Sequence, residues 1–446
     1  MNPSNGSSIR ISPWRGERIN HEQEDHEMND HYAALVGLDW ADEKHDLCWK
    51  VPGEDQVYAR EIEQSPEKIR DWVAGLMKRF PECRYAVCLE QSRGPVVNAL
   101  MGYGAIDLFP LNPSSMKNYR KAFYPSGAKD DPTDAKLMLE MLERHRDSMR
   151  LWKPDTVETR RLRFLCEDRR KLVDLRSGQL NRLRAGLKQF YPQALKMADD
   201  IGSELFCAFL MKWPDFEKLS LARPDTVRSF YHRYNSRNEH KIAERLELIR
   251  ESQPLCNDAA VIDSGRMLAE ALVAEIRLLN KQIKKYDERI CVFYQSHPDH
   301  EVFSSFPGAG EHLGPRVLVC FGSDRERYDS AESAANYIGI SPVTQRSGKQ
   351  EWIHWRWHRP KFLSQSLVEF ARCSLGYSDW AMVFYERQKS RGKSHQAAIR
   401  SLAYKWVRII YRCWKDHEPY DEVKYMASLA RNGSWIPHEV GKEQLA

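Results

Sequence analysis

The chain has 446 residues, with 68 Lys and Arg against 63 Asp and Glu, a formal net charge of +5, and ten cysteines. That length leaves room for two or three domains, and no apolar run reaches the roughly 18 residues that a membrane-spanning helix needs. The cysteines form no C-x-x-C pair and no ligand-like spacing with His, which argues against a zinc site or a disulfide framework and for reduced thiols in a cytoplasm. Residues 1–30 are polar, rich in Asn, Ser, Glu and His, and lack an apolar export core, so they read as a disordered leader.

Three short β-prone segments follow, at about 33–39, 45–51 and 56–62, and then a helix opening Ser65-Pro66-Glu67. A second apolar run, Tyr85-Ala86-Val87-Cys88-Leu89-Glu90, a helix at about 95–103 and a strand at 105–110 come next. Asp131-Pro132-Thr133-Asp134 opens a helix through Leu137, Leu139, Met141 and Leu142, with Asp131 as its expected N-cap. Asp39 and Glu90 each end an apolar run, and Asp134 falls one turn beyond Asp131. Three antiparallel strands followed by alternating helix and strand, with acids on the first strand, the fourth strand and a late helix, is how a ribonuclease-H-like sheet is built. Four carboxylates about 4–6 Å apart repel by a few kcal/mol per pair at an effective dielectric of about 20. A hard cation, Mg²⁺ or Mn²⁺, would stabilise them. Taken singly, each acid also reads as an ordinary turn or cap residue.

From about Thr156 to Phe190, the apolar residues Leu162, Leu165, Leu172, Leu180, Leu183 and Leu187 form a stripe on a helix that also carries ten Arg and Lys between Arg160 and Lys188. A return helix has Leu268, Leu272, Ile276, Leu279, Ile283, Tyr286, Ile290 and Phe293 spaced as a coiled-coil seam. The seam fits pairing within the chain or between subunits. Residues 197–257, broken by Pro214, Pro224 and Pro254, read as a helical insert.

The last third opens with Phe306-Pro307-Gly308-Ala309-Gly310 before an apolar helix, a turn similar to the helix-hairpin-helix device that offers backbone N–H groups to phosphate. Ser347-Gly348 then lies in an expected loop between Arg346 and Lys349. Arg346 to Lys415 holds 15 Lys and Arg against 4 Asp and Glu, a local excess of +11. Trp352, Trp355, Trp357, Tyr377, Trp380, Phe384, Tyr385 and Trp406 lie among these charges. Cations interleaved with aromatics suit a phosphate backbone with unstacked bases, and equally suit a solvated basic face over an aromatic core.

In order, Gly37-Leu38-Asp39, Leu89-Glu90, Lys129 to Ala135, Phe306 to Gly310, Tyr337 to Pro342 with Ser347-Gly348, Tyr385-x-Arg387, Arg391-Gly392-Lys393 and Pro419-Tyr420-Asp421 resemble the one-ten family of bacterial insertion-sequence transposases. The resemblance runs from about residue 32 to 430. It implies a RuvC-like DEDD domain (31–150), a helical coiled-coil domain (151–300) with the insert, a mainly α-helical serine transposase domain (301–430) and a tail (431–446). It also implies metal ligation by Asp39, Glu90, Asp131 and Asp134, with Ser347 as the nucleophile that forms a phosphoserine link. Arg346, Lys349, Arg387, Arg391, Lys393, Gly308 and Gly310 are the expected nucleic-acid contacts. The implied partners are donor and target DNA, a structured non-coding guide RNA and further copies of the chain, from dimer to tetramer.

Three other classes stand against this one, the first a non-enzymatic nucleic-acid scaffold in which the acids are mere caps. A RuvC-like junction resolvase would use the same acids without Ser347, so a protein–DNA adduct discriminates. An actin-like kinase would need small Gly and Thr residues after the first-strand Asp, where Trp40-Ala41-Asp42-Glu43 stands.

Overall fold

The computed structural model describes residues 32–90, 92–124, 131–348 and 350–443, without the side chains of 131–133 and 442–443. The expected leader lies outside these residues. The chain divides into two compact units, up to Pro154 and from Asp155 onward.

In the first unit, β1 (Tyr32–Trp40), β2 (Lys44–Lys50) and β3 (Val57–Glu63) form an antiparallel meander. Helix α1 (Pro66–Arg79) follows, its N-terminus capped by the Ser65 side chain, which accepts from the Lys68 amide at 3.1 Å. Strand β4 (Arg84–Leu89), helix α2 (Pro95–Leu100) and strand β5 (Ile106–Pro110) come next, with β4 parallel to β1 and β5 parallel to β4. The sheet order is β3-β2-β1-β4-β5. This mixed sheet with helices is compatible with a ribonuclease-H-like domain, and its strands lie close to where the apolar runs place them.

Alternating residues send β1 and β4 into two different cores. Ala34, Val36, Leu38, Val87 and Leu89 pack with Ile69, Trp72 and Val73 of α1. Leu35, Ala86 and Cys88 pack instead with Leu137, Met138 and Leu142 of α4 (Asp131–His145), on the other face. Between β5 and α4 lies α3 (Pro113–Phe123), a helix the apolar pattern did not announce, since Met116 is its one buried residue. Asp131 lies within α4, so it is not the expected N-cap.

The second unit begins with α5 (Val157–Phe190). Four helices, α6 (Glu204–Lys212), α7 (Phe216–Ser220), α8 (Pro224–Arg233) and α9 (Glu239–Glu251), fill the stretch read as an insert. Helix α10 (Ala259–Gln295) then runs back antiparallel to α5: Arg169 pairs with Asp287, Arg176 donates to Asn280 at 3.1 Å and Gln179 donates to Glu275. The pairing left open by the sequence is therefore within the chain. The expected seam shifts at its start, where Leu268 is exposed and Ala269, Leu272 and Val273 are buried. A Cβ on Gly265 would stand 2.5 Å from the Phe190 ring, so the aromatic ring packs on the glycine and sets that turn of the contact.

Each end of the helix pair enters a different core. Leu183, Leu187 and Phe190 join Phe206, Phe209, Trp213 and Phe230 of α6 to α8. Leu162, Cys166, Ile290 and Tyr294 join the C-terminal helices. Those are α11 (His300–Ser304), α12 (Gly310–Phe321), α13 (Ala331–Ile338), α14 (Lys361–Ser374), α15 (Asp379–Ser390), α16 (His395–Asp416), α17 (Glu422–Arg431) and α18 (Ile436–Glu443). A hairpin of β6 (Val343–Ser347) and β7 (Gln350–His354) interrupts them. Trp380, Trp406 and Trp414 are fully buried here, and each such side chain contributes about 2–3 kcal/mol of hydrophobic stabilisation. Their indole N–H groups donate to Tyr420 Oη, Ser374 Oγ and the Gly322 carbonyl, so no polar handle is buried unpaired.

Candidate functional site

Strand register sets two of the sequence-predicted acids, Asp39 and Glu90, beside each other. Leu38 is aligned with Leu89, so Asp39 and Glu90, one residue further, leave neighbouring parallel strands side by side. Leu35 and Cys88 both face α4, and a period of two keeps Asp39 and Glu90 on that face. A Cβ on Gly37 would fall 2.0 Å from the Ala135 carbonyl oxygen, so only glycine allows α4 to lie this close to β1. The contact is made by Ala135 and Leu139, and Asp134, the neighbour of Ala135, is nearly buried.

Two further residues belong to this corner, and sequence reasoning missed both. Asp46 on β2 is the register partner of Asp39. Carboxylates directly opposite each other on one face repel, which adds to the negative field there. Arg120 on α3 makes an ion pair with Asp134, both side chains being largely shielded from solvent. The local signal for Arg120 was weak, because a single Arg on a mostly exposed helix has no periodic signature. Among the described residues no three Asp, Glu, His or Cys side chains close together as a metal-holding group, and the Asp131 side chain is outside that set. The donors are all carboxylate oxygens, which fits a hard divalent ion.

Ser347 is the last residue of β6, a correction to the loop expected there. It pairs with Gln350 across a two-residue turn whose first residue, Gly348, has φ of +57°. Hairpin turns of this size favour positive φ at that position, and glycine takes it without strain. Ser347 is exposed at the tip. Arg346 points to the opposite face of the ribbon, where its guanidinium meets Glu351 at 3.0 Å. Lys349 lies outside the described residues. The rest of the hairpin is also open: Ile353 is 64% and Trp352 45% exposed. A two-stranded ribbon without a packed face is marginal by itself.

The basic stretches divide once side chains are placed. On α5, Arg163, Arg169 and Arg170 are tied to Glu167, Asp287 and Glu369, so that part of its expected basic face is neutralised internally. Arg182 and Arg184 stay exposed. In the C-terminal stretch, Trp380 and Trp406 are core residues, correcting their reading as stacking platforms, whereas Trp357 and Tyr377 are 78% and 68% exposed. Trp355 is held between the guanidinium groups of Arg359 and Arg400 at 4.5 and 5.0 Å. Arg387 lies over the Trp435 ring at 3.7 Å, Lys393 donates to Ser401 and Arg391 is exposed. Gly308, with φ of +77°, packs on the Cys373 backbone, and Gly310 opens α12 at the surface. No described helix is long and apolar enough to cross a membrane.

Residues 36–192 match a family described as a transposase domain, the DEDD type of IS110, and residues 300–386 match the transposase family described as IS116/IS110/IS902. The two matches fall one on the sheet with α5 and one on the helices around the hairpin, and both define the chain as a transposase. The chain is 27% identical over 420 residues to a mini-circle putative transposase for IS117 of Streptomyces coelicolor, covering 90% of this chain and 98% of that protein. It is 23% identical over 406 residues to an IS110 43.6 kDa protein of the same organism, covering 87% and 96%. An IS900 42 kDa protein of Mycobacterium paratuberculosis is 25% identical over 322 residues, covering 69% and 77%. The chain belongs to the IS110 family of transposases.

Proposed function

We propose that this transposase is an RNA-guided serine recombinase of a bacterial insertion sequence, working in the cytoplasm as a dimer to tetramer, with donor and target DNA as substrates. The observation that carries this reading is a serine hydroxyl presented at the tip of an exposed hairpin in a chain whose other unit aligns acids at the ends of β1 and β4. The serine transposase part corresponds to residues 301–430, and the RuvC-like part to 31–150. Ser347 Oγ bonds to phosphorus as the strand's bridging oxygen leaves, and the resulting ester conserves the bond energy for rejoining to a new strand. Asp39, Glu90, Asp131 and Asp134 would hold Mg²⁺ or Mn²⁺, which when bound supplies Lewis-acid stabilisation of charge on phosphate oxygens. Gly37, by letting α4 lie against β1, would keep Asp134 within reach of Asp39, and Arg120 would orient the Asp134 carboxylate. The α5–α10 pair closes within the chain, so contacts between subunits would use its outward face, where Leu175, Leu268 and Leu278 are exposed. Arg346, Lys349, Arg387, Arg391, Lys393 and the Gly308–Gly310 turn would grip backbone phosphates. The guide RNA would supply sequence recognition, so RNA of one sequence should copurify from the native host.

The deciding experiment uses a DNA substrate nicked to trap the intermediate. Wild-type protein should give a protease-sensitive DNA–protein band whose linked peptide contains Ser347, and Ser347→Ala should retain DNA binding but lose the band. Free cut ends from Ser347→Ala, or an adduct on another residue, would leave a RuvC-like endonuclease as the better account.

A further inference from the structure

Helices α16 and α17 line a surface cavity, open to solvent on one side, of about 500 Å³, inside the roughly 300–1,000 Å³ range of small-ligand sites. Its α16 wall carries Lys405, Arg408 and Arg412, spaced to share one face. Arg412 is neutralised by Asp416 one turn on. Lys405 and Arg408 have no carboxylate partner among the described residues. Lys405 is half-buried, its ammonium 5.7 Å from the Trp380 ring centre, 5.5 Å from Phe384 and 5.9 Å from Tyr425. Burial, and next the charge of Arg408, push its pKa below the ordinary lysine value. Aromatic faces offset part of the cost of holding this cation out of water, but an anion would offset more. Across from it stand Tyr425 and Leu429, with the buried Tyr420 behind them and a third cation, Lys424, on the α17 side.

We propose that this cavity binds a nucleoside phosphate, the phosphate between Lys405 and Arg408 and the base or sugar against Tyr425 and Leu429. Two cations with an adjacent aromatic wall suit a phosphate joined to a planar ring. An acidic peptide would answer the cations and leave the aromatic wall unused. Glu418 and Asp421 stand on the rim. Asp421 is committed to capping α17, accepting from the Lys424 amide at 3.0 Å. The exposed Glu418 carboxylate and the Lys424 ammonium offset each other at the rim, which leaves Lys405 and Arg408 as the pair for a phosphate. The ligand is either a free mononucleotide or a nucleotide at the end of, or turned out of, a strand. The choice of a nucleotide rests on the nucleic-acid function proposed above.

The test is done on the full chain. Adenosine and cytidine 5′-monophosphates are titrated by calorimetry beside adenosine, inorganic phosphate and an acidic hexapeptide. A short single strand with a terminal 5-iodouridine is then photocrosslinked, and the adduct is mapped by mass spectrometry. We expect the monophosphates to bind more tightly than the nucleoside or phosphate alone, and the adduct to fall on Tyr425. Lys405→Met and Arg408→Gln should each weaken binding by roughly tenfold or more, the usual effect of losing a charged hydrogen-bond partner, with an unchanged melting temperature. Competition of the crosslink by monophosphate identifies the free nucleotide as a ligand, whereas crosslinking without competition identifies the strand. Adducts confined to other residues, or equal binding by both variants, would overturn the proposal, as would preference for the acidic peptide. Mononucleotide binding in a protein that forms no Ser347 adduct would uphold the cavity and reject the recombinase reading. An adduct without cavity binding would do the reverse.

Discussion

Asp134 carries two demands at the scale of single residues. It must stand near Asp39 if the acids are to share a cation, yet it is already bound to the guanidinium of Arg120. A guanidinium and a divalent ion compete for the same carboxylate oxygens, so removing Arg120 should strengthen metal binding while loosening the orientation of Asp134. We expect Arg120→Gln to bind Mn²⁺ roughly fivefold more tightly, given about 1 kcal/mol for a shielded ion pair of this kind. Equal or weaker Mn²⁺ binding in a relaxation titration would show that Arg120 does not guard the site. Asp39→Asn, Glu90→Gln and Asp134→Asn should each lower strand cleavage by about 10²-fold or more, with circular dichroism unchanged because no core volume is lost. Variants that cut at a tenth of the wild-type rate would remove these residues from the chemistry.

At the scale of elements, the close approach of α4 to β1 is what would convert separate acids into the proposed site. The contact depends on the missing Cβ of Gly37, which would otherwise enter the backbone of α4 at Ala135. Gly37→Ala should therefore push α4 outward, with a cost of about 1–3 kcal/mol from overpacking. Cleavage should fall more than stability does, since Asp134 moves with the helix. A urea midpoint and a cleavage rate measured on the same variant check this, and an unaltered rate would mean that the acids act without α4. The hairpin poses the opposite case. Its strands gain little from packing, so its order depends on its turn and on cross-strand pairs such as Arg346–Glu351 and Trp352–Gln345. An element with few buried contacts is suited to settle onto a substrate rather than to hold a rigid pocket.

At the scale of the whole molecule, one buried histidine ties distant parts of the second unit together. His297 Nδ1 accepts from the Asp299 amide, and its Nε2 faces the Thr159 hydroxyl at 2.9 Å. Both ring nitrogens are thus engaged when the ring is neutral. Burial, the largest effect, depresses its pKa below the ordinary 6.5 despite the nearby carboxylates of Asp299 and Asp155. In the unfolded chain the ring takes up a proton near pH 6.5, while in the folded chain it stays neutral to lower pH. Stability should therefore fall as pH drops through 6.5 and keep falling until the folded pKa is reached. Urea unfolding between pH 7.5 and 5.5 should show this slope, and His297→Gln should flatten it. A slope unchanged in the variant would assign it to other groups.

Local pattern carried much of the first unit. The order of strands and helices, and Asp39 and Glu90 at the ends of apolar runs, were legible because a strand's period of two and a helix's cap are written within a few residues. The pairing of α5 with α10 was visible as two stripes, but not whether the partner lay within the chain. What tertiary structure alone decided concerns residues far apart in sequence: Arg120 on Asp134, Asp46 opposite Asp39, Arg170 on Glu369, and Trp380 and Trp406 buried while Trp357 is exposed. Periodicity tells which side of an element is apolar. Which of several apolar or charged partners it meets depends on packing volumes summed over the whole core, and no short window of sequence contains that sum.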